Sequence, residues 1–166
     1  VGPALTCTED AYIGHDPAAA RKSIAKYGKP IRIECIHTNT SRGRQTGELL
    51  QQLFKKIGVE LSLTPLSTGP HVMKVLDGNY DLATWRILGS KDMSVQLYRS
   101  FHSKSRANYT GYRDPVLDKL LEALRKAPEP KRRENILCRV VRRINENAVI
   151  FYRGGRRRHI VAHRKV

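Results

Sequence analysis

The sequence predicts an α/β fold: a short, mostly parallel sheet flanked by helices, with extra C-terminal helices and a returning strand. Three observations carry this. Apolar residues alternate with polar ones in IRIECIH, VELSLTPL and YDLATWRI, the period of a strand. Helical stripes precede and separate these segments with short connections, the pattern that gives parallel strands and right-handed crossovers. After YDLATWRI the periodicity turns helical, until a last strand-like stretch, AVIFYR.

The elements follow from local chemistry. Asp16-Pro17 reads as an N-cap with proline at the first helical position, and AAARKSIAKYG follows to Gly28, a C-terminal glycine stop. Pro30 opens the first strand, in which Ile31, Ile33 and Cys35 share a face. The polar run Thr38-Asn39-Thr40-Ser41 supplies N-cap candidates for a second helix reaching about Ile57, with Leu49, Leu50, Leu53, Phe54 and Ile57 on one face. Val59, Leu61 and Leu63 line one side of the second strand. Pro70 is expected to begin a short helix closed by Asp77-Gly78. Residues 92–102 fit a short helix or an irregular segment. Asp114-Pro115 caps a helix with Val116, Leu117, Leu120, Leu121 and Leu124 on one face, and Pro128 and Pro130 break it. In PKRRENILCRVVRRINENA, Ile136, Leu137, Val140, Val141 and Ile144 face inward.

The chain has 166 residues and a mean hydropathy of −0.50, enough for one domain plus a tail. No apolar run approaches the ~20 residues of a membrane span. The start, VGPALTCTEDAY, lacks the basic region and apolar run of a signal peptide. The formal charge is +16, which suits an anionic partner. However, the basic residues of 131–143 interleave with an apolar helical stripe and belong mostly to a solvated face. Few aromatics accompany them, against a stacking platform for single-stranded nucleic acid. The three cysteines, Cys7, Cys35 and Cys138, show no metal spacing and no CxxC. Cys35 reads as a small core residue, with a Cys7–Cys35 bridge as the alternative. The six histidines show no HxxxH or HExxH. His37, Ser41 and Asp81 could form a triad only without a G-x-S-x-G elbow. The sequence therefore implies no catalytic residue, metal or cofactor.

A series of landmarks recurs in order: DPAAARKSIAKYGKP, GELLQQLFKKIGVELSLTPL, GNYDLATW, LYRSFHSKSRANYTGYRDPVLDKLL, PEPKRRENI and NAVIFYR. Together they resemble the C-terminal lobe of extracellular solute-binding proteins of ABC importers, in the oligopeptide/dipeptide-binding family (family 5). The resemblance implies a type II periplasmic-binding-protein-like lobe over 16–152. It implies an N-terminal extension over 1–15 and a basic tail over 153–166 that returns toward a missing first lobe. It also implies a periplasmic location, a small solute, peptide or peptide-like, held between two lobes by hinge closure, and delivery to an ABC permease in the membrane. The freed tail implies strand exchange between copies, hence a homodimer of the fragment. No specific nucleic-acid partner is expected. The alternative is a solute-sensing domain of a transcription regulator that binds nucleic acid through another module; no helix-turn-helix is evident in this sequence.

In that family an acidic residue three positions after a tryptophan holds the peptide amine. An ungapped overlay on NYDLATWRILGSKD puts Ile87 at the tryptophan and Ser90 at the acid, with Asp92 two residues further on, so the clamp departs from the family's pattern. Ligands in open parallel sheets bind beyond the C-terminal ends of strands. This rule selects Thr38, Asn39 and Arg44 after the first strand and Trp85, Arg86 and Asp92 after the third. Arg44 beside a helix N-terminus suits an anionic group; otherwise Thr40 or Ser41 merely caps the helix and Arg44 is solvated. Trp85 is a stacking wall or core. Arg86 meets ligand, or pairs with Asp92 or Asp81. Asn108 and Tyr109 contact ligand, or fix the loop before Asp114-Pro115.

Overall fold

The structure, a computed structural model, describes residues 14–86 and 92–151. Cys7, Ile87, Ser90, the basic tail over 153–166 and most of the N-terminal extension lie outside the described residues. The order is α1 (Pro17–Tyr27), β1 (Ile31–Thr38), α2 (Ser41–Lys56), β2 (Val59–Leu66), α3 (Thr68–Leu76), β3 (Leu82–Ala83), α4 (Met93–Phe101), α5 (Pro115–Lys126) and α6 (Pro130–Glu146). The strands form a parallel sheet in the order β2-β1-β3, so β1 is central. Its register with β2 runs from Ile31↔Val59 to Thr38↔Leu66.

Local signals place the helix starts. The Asp16 carboxylate accepts the Ala19 N–H at 2.9 Å. Asp114 accepts the Val116 N–H at 2.9 Å, with Pro115 at the first position of α5. Gly28, at φ 73°, closes α1. Helix α3 begins at Thr68 rather than Pro70, with Ser67 as its N-cap.

Helix α2 lies unusually close to β1. A Cβ on Gly43 would overlap the Thr38 carbonyl oxygen, and one on Gly47 would lie 3.0 Å from His37 Cδ2. One turn apart, the two glycines leave a smooth strip on which the end of β1 rests. Thr46, Leu50 and Phe54 continue this face, while Leu49 and Leu53 of the expected stripe are exposed. Cys35, Leu50 and Leu61 form the sheet-side core with Ile33, Phe54, Leu63 and Leu82. Cys35 is free and fully buried, which rules out the Cys7–Cys35 bridge; burial, then the neighbouring Glu34, push its thiol up to about 11. Cys138 is disulfide-bonded.

Two expected strands are corrected. The third is only Leu82–Ala83, paired with Cys35 and Ile36. Before it, the Asp81 carboxylate takes the Glu34 N–H at 2.9 Å, so a side chain replaces the backbone partner there. The expected returning strand is absent over Ala148–Phe151. Ala148 turns at φ 48°, Val149 bonds back to the Ile144 carbonyl at 3.2 Å, and Val149 and Ile150 pack on the helices.

On the outer edge of β2, the Gln51 amide donates to the Leu61 carbonyl at 2.7 Å. The Leu66 carbonyl points at β1 and accepts the Asn39 N–H at 2.8 Å. Backbone groups alternate along a strand, so those of Leu61 and Pro65 face outward.

Helices α4, α5 and α6 build a second core from Leu97, Phe101, Leu117, Leu120, Leu121, Leu124, Ile136, Val140 and Ile144. Val116 of the expected stripe is exposed. Asp114 ties this core together: its buried carboxylate caps α5 and accepts from Arg143 Nε of α6 at 2.6 Å and from the Tyr112 hydroxyl at 2.9 Å. Burial alone would raise its pKa, but the bonds from Arg143, Val116 and Tyr112 outweigh that and lower it to about 2.

Three outcomes are expected. Gly43→Ala should lower stability by about 1–3 kcal/mol, as overpacking does, read as a lower urea midpoint. Gly69→Ala, at a position with open space around it, should be neutral or stabilising. Asp114 ionises more readily folded than unfolded, so its contribution is present above its ordinary pKa and is lost as pH falls through the folded value. That contribution is about 2 kcal/mol. Asp114→Asn should remove it near neutral pH and flatten the unfolding curve between pH 4 and 2 relative to the parent.

Candidate functional site

The C-terminal ends of the three strands form a rim from which α2 and α3 start, on the two crossovers of the parallel sheet. At the end of β1, Thr38 Oγ1 lies 3.2 Å from Thr40 Oγ1, and Thr40 Oγ1 caps α2 by accepting the Gly43 N–H at 3.1 Å. The backbone of Asn39 is fixed to Leu66 while its side chain is exposed. Arg44 is exposed in the first turn of α2, and no ion pair holds its guanidinium among the described residues. Ser67 caps α3 without a side-chain hydrogen bond. The rim therefore offers two helix N-termini, several hydroxyls and a guanidinium, a set suited to polar or anionic groups.

Trp85 leaves the sheet just after β3 and is 43% exposed. Its ring lies 5.8 Å from that of His71, tilted by 30°, and meets Tyr109 edge-on at 5.7 Å. It is therefore a packed ring with an open side, wall and partial core at once. Tyr109 is anchored through its carbonyl, which accepts the Tyr80 hydroxyl at 2.6 Å. Asn108 is used by the loop: its Nδ2 donates to the carbonyls of Phe101, His102 and Tyr112 at 3.3, 3.4 and 2.9 Å, and its Oδ1 accepts the Thr110 hydroxyl at 2.6 Å.

Arg86 is exposed beside Trp85, and among the described residues no ion pair joins it to Asp92 or Asp81. The Asp92 carboxylate caps α4, accepting the Ser94 N–H at 2.8 Å and its hydroxyl at 2.6 Å, and it pairs with Arg133 at 3.0 Å. The Ser94 hydrogen bonds, opposed by burial and helped by Arg133, lower its pKa. The structure thus gathers Thr38, Asn39 and Arg44 at one strand end and Trp85 with Tyr109 at the other. It engages Asp92 and Asn108 within the scaffold.

One rim residue escaped the sequence reading. His71, in the first turn of α3, is 3% exposed, and its Nε2 has no hydrogen-bond partner. Burial, opposed by the Ile36 backbone and helped by His37, lowers its pKa, which favours the neutral ring. A single histidine four residues before Val75 on an apolar helix face reads as core, and only the unfilled acceptor distinguishes it.

No hydrogen bond joins His37, Ser41 and Asp81: His37 Nδ1 lies 3.0 Å from the Thr38 carbonyl, and Asp81 serves Glu34. Among the described residues no cluster of three or more His, Cys, Asp or Glu could hold a metal, and no helix is long and apolar enough to cross a membrane.

No family model and no curated protein matches the sequence. Solved structures do. The ABC transporter substrate-binding protein CtaP of Listeria monocytogenes is 26% identical, with a TM-score of 0.74, over 87% of this chain and 31% of that one. AppA of Clostridium difficile is 21% identical with a TM-score of 0.74, over 86% of this chain and 31% of its own. MppA, the murein tripeptide-binding protein of Escherichia coli, is 16% identical with a TM-score of 0.75, over 84% and 30%. This chain thus spans about a third of each of these proteins. In its fold the chain is similar to one lobe of ABC-transporter substrate-binding proteins, those of peptide and oligopeptide transporters among them.

Proposed function

We propose that this chain is a ligand-binding lobe of an ABC-transporter substrate-binding protein, taking a small peptide or peptide-like solute without chemical change. The observation that carries the reading is the half-exposed Trp85 at the strand-end rim of a lobe shaped like those of peptide-binding proteins. A large aromatic placed where such sheets bind ligands, with one side packed and the other open, is a natural stacking wall. Arg44 at the start of α2 would meet an anionic group such as a carboxylate, and Arg86 would extend that positive edge. Thr38, Asn39 and Tyr109 would border the same surface. Asp92 and Asn108 would contribute by fixing α4 and the Tyr109 loop.

A facing lobe outside this chain would close on the solute by hinge motion, and an ABC permease would receive it. One wall of a cleft encloses little of a ligand, so the affinity of this chain alone should be low. The periplasmic location is supported by the likeness to MppA, a periplasmic murein tripeptide-binding protein, and by the disulfide at Cys138, which suits an oxidising compartment.

Trp85 is the sole tryptophan in the sequence, so intrinsic fluorescence reads the rim directly. Titration with dialanine, trialanine and tetraalanine should give a saturable change. Arg44→Ala should weaken it about tenfold, as expected for losing a charge-assisted contact, without altering the thermal melt. A linear, unsaturable response to all three peptides would contradict the proposal.

A further inference from the structure

Among the described residues, one buried side-chain polar atom is left without a hydrogen-bond partner, and it lies at the rim. His71 Nε2 is buried and unpartnered, and a buried polar atom without a partner is uncommon enough to need an explanation. Its surroundings narrow the explanation. His37 and the Ile36 backbone lie close enough to influence the ring. Its ring contact among the described residues is with Trp85, the half-exposed wall of the proposed site. In a neutral imidazole one ring nitrogen is an acceptor, and the unpartnered Nε2 is open to that role. An acceptor sheltered from water favours a donor strongly, because an unfilled one keeps its desolvation cost.

The neighbouring strand does not fill it. The Ile36 carbonyl accepts the Thr84 N–H at 3.0 Å, which fixes the chain just before Trp85. Trp85 itself belongs to no strand and is held by ring contacts with His71 and Tyr109.

Resting on the solute-binding reading above, we propose that His71 is a specificity-determining residue of the rim: Trp85 shelters its Nε2 in the free protein, and the bound solute supplies an N–H donor to it. The site then selects on two features together, a face to stack on Trp85 and a donor reaching beneath it. Both the ammonium and the amide groups of a peptide can supply such a donor.

The test uses the whole chain with trialanine and N-acetyl-trialanine, read by Trp85 fluorescence and by the ¹⁵N shift of His71 Nε2. His71→Phe keeps the ring shape and removes the acceptor, and His71→Gln keeps an acceptor. Saturation with trialanine should move the Nε2 resonance upfield. His71→Phe should weaken trialanine about tenfold, the loss expected for an unpaired donor, and His71→Gln should restore part of it. Loss for trialanine alone assigns the donor to the ammonium; loss for both peptides assigns it to an amide. Equal binding by parent and His71→Phe, or a Nε2 shift unchanged at saturation, means that a water fills the acceptor and overturns this inference while leaving the solute-binding reading intact. Binding of neither peptide to any variant overturns both.

Discussion

The position of the rim depends on one close approach, that of α2 to the end of β1. β1 is the central strand, so it sets the height of both neighbours. Where it ends, the Thr38 carbonyl and the His37 ring occupy the space that side chains on residues 43 and 47 would need. Two glycines one turn apart allow the contact, and Thr40 fixes the helix start by capping it. The contact decides where Arg44 emerges and how far the first strand end stands from α3. A bulkier α2 surface would still give an α/β sandwich, but with its strand-end groups displaced.

The helical half reaches the sheet through a small number of polar and aromatic links. Asp114 joins the loop, α5 and α6, and Asn108 gathers three carbonyls. Between them the Tyr109 carbonyl holds the Tyr80 hydroxyl from the strand side, and the Tyr109 ring meets Trp85. Residues that looked like ligand contacts are therefore partly the braces that hold the exposed indole in place. Asp92 is another brace, tied to Arg133 forty-one positions away in sequence.

Much of this fold is legible in the sequence because its signals are local. Asp16-Pro17 and Asp114-Pro115 announce their helices, since capping involves only the next few residues. Alternation in IRIECIH and VELSLTPL gives strands because both lie beside long partners. The third strand looked longer than it is because nothing in YDLATWRI shows that Asp81 will take a backbone donor of β1. Leu49 and Leu53 misled in the same way: the packed face of α2 is centred on Gly43 and Gly47, residues that carry no apolar signal. At the candidate site, strand-end positions followed from topology and the loop-fixing alternative for Asn108 rested on near neighbours, whereas the use of Asp92 depended on Arg133, distant in sequence. His71 was invisible, because an unfilled acceptor is a property of its surroundings and not of its residue type.

The outer edge of β2 has a consequence for how the sheet can be extended. Pro65 has no N–H to offer, and the outward Leu61 carbonyl is already taken by Gln51. A foreign strand arriving there would find neither a regular row of donors nor a free row of acceptors. The opposite flank, beside the two-residue β3, carries no such block among the described residues. The two margins of the sheet therefore differ: among the described residues, the β2 edge is interrupted at Leu61 and Pro65.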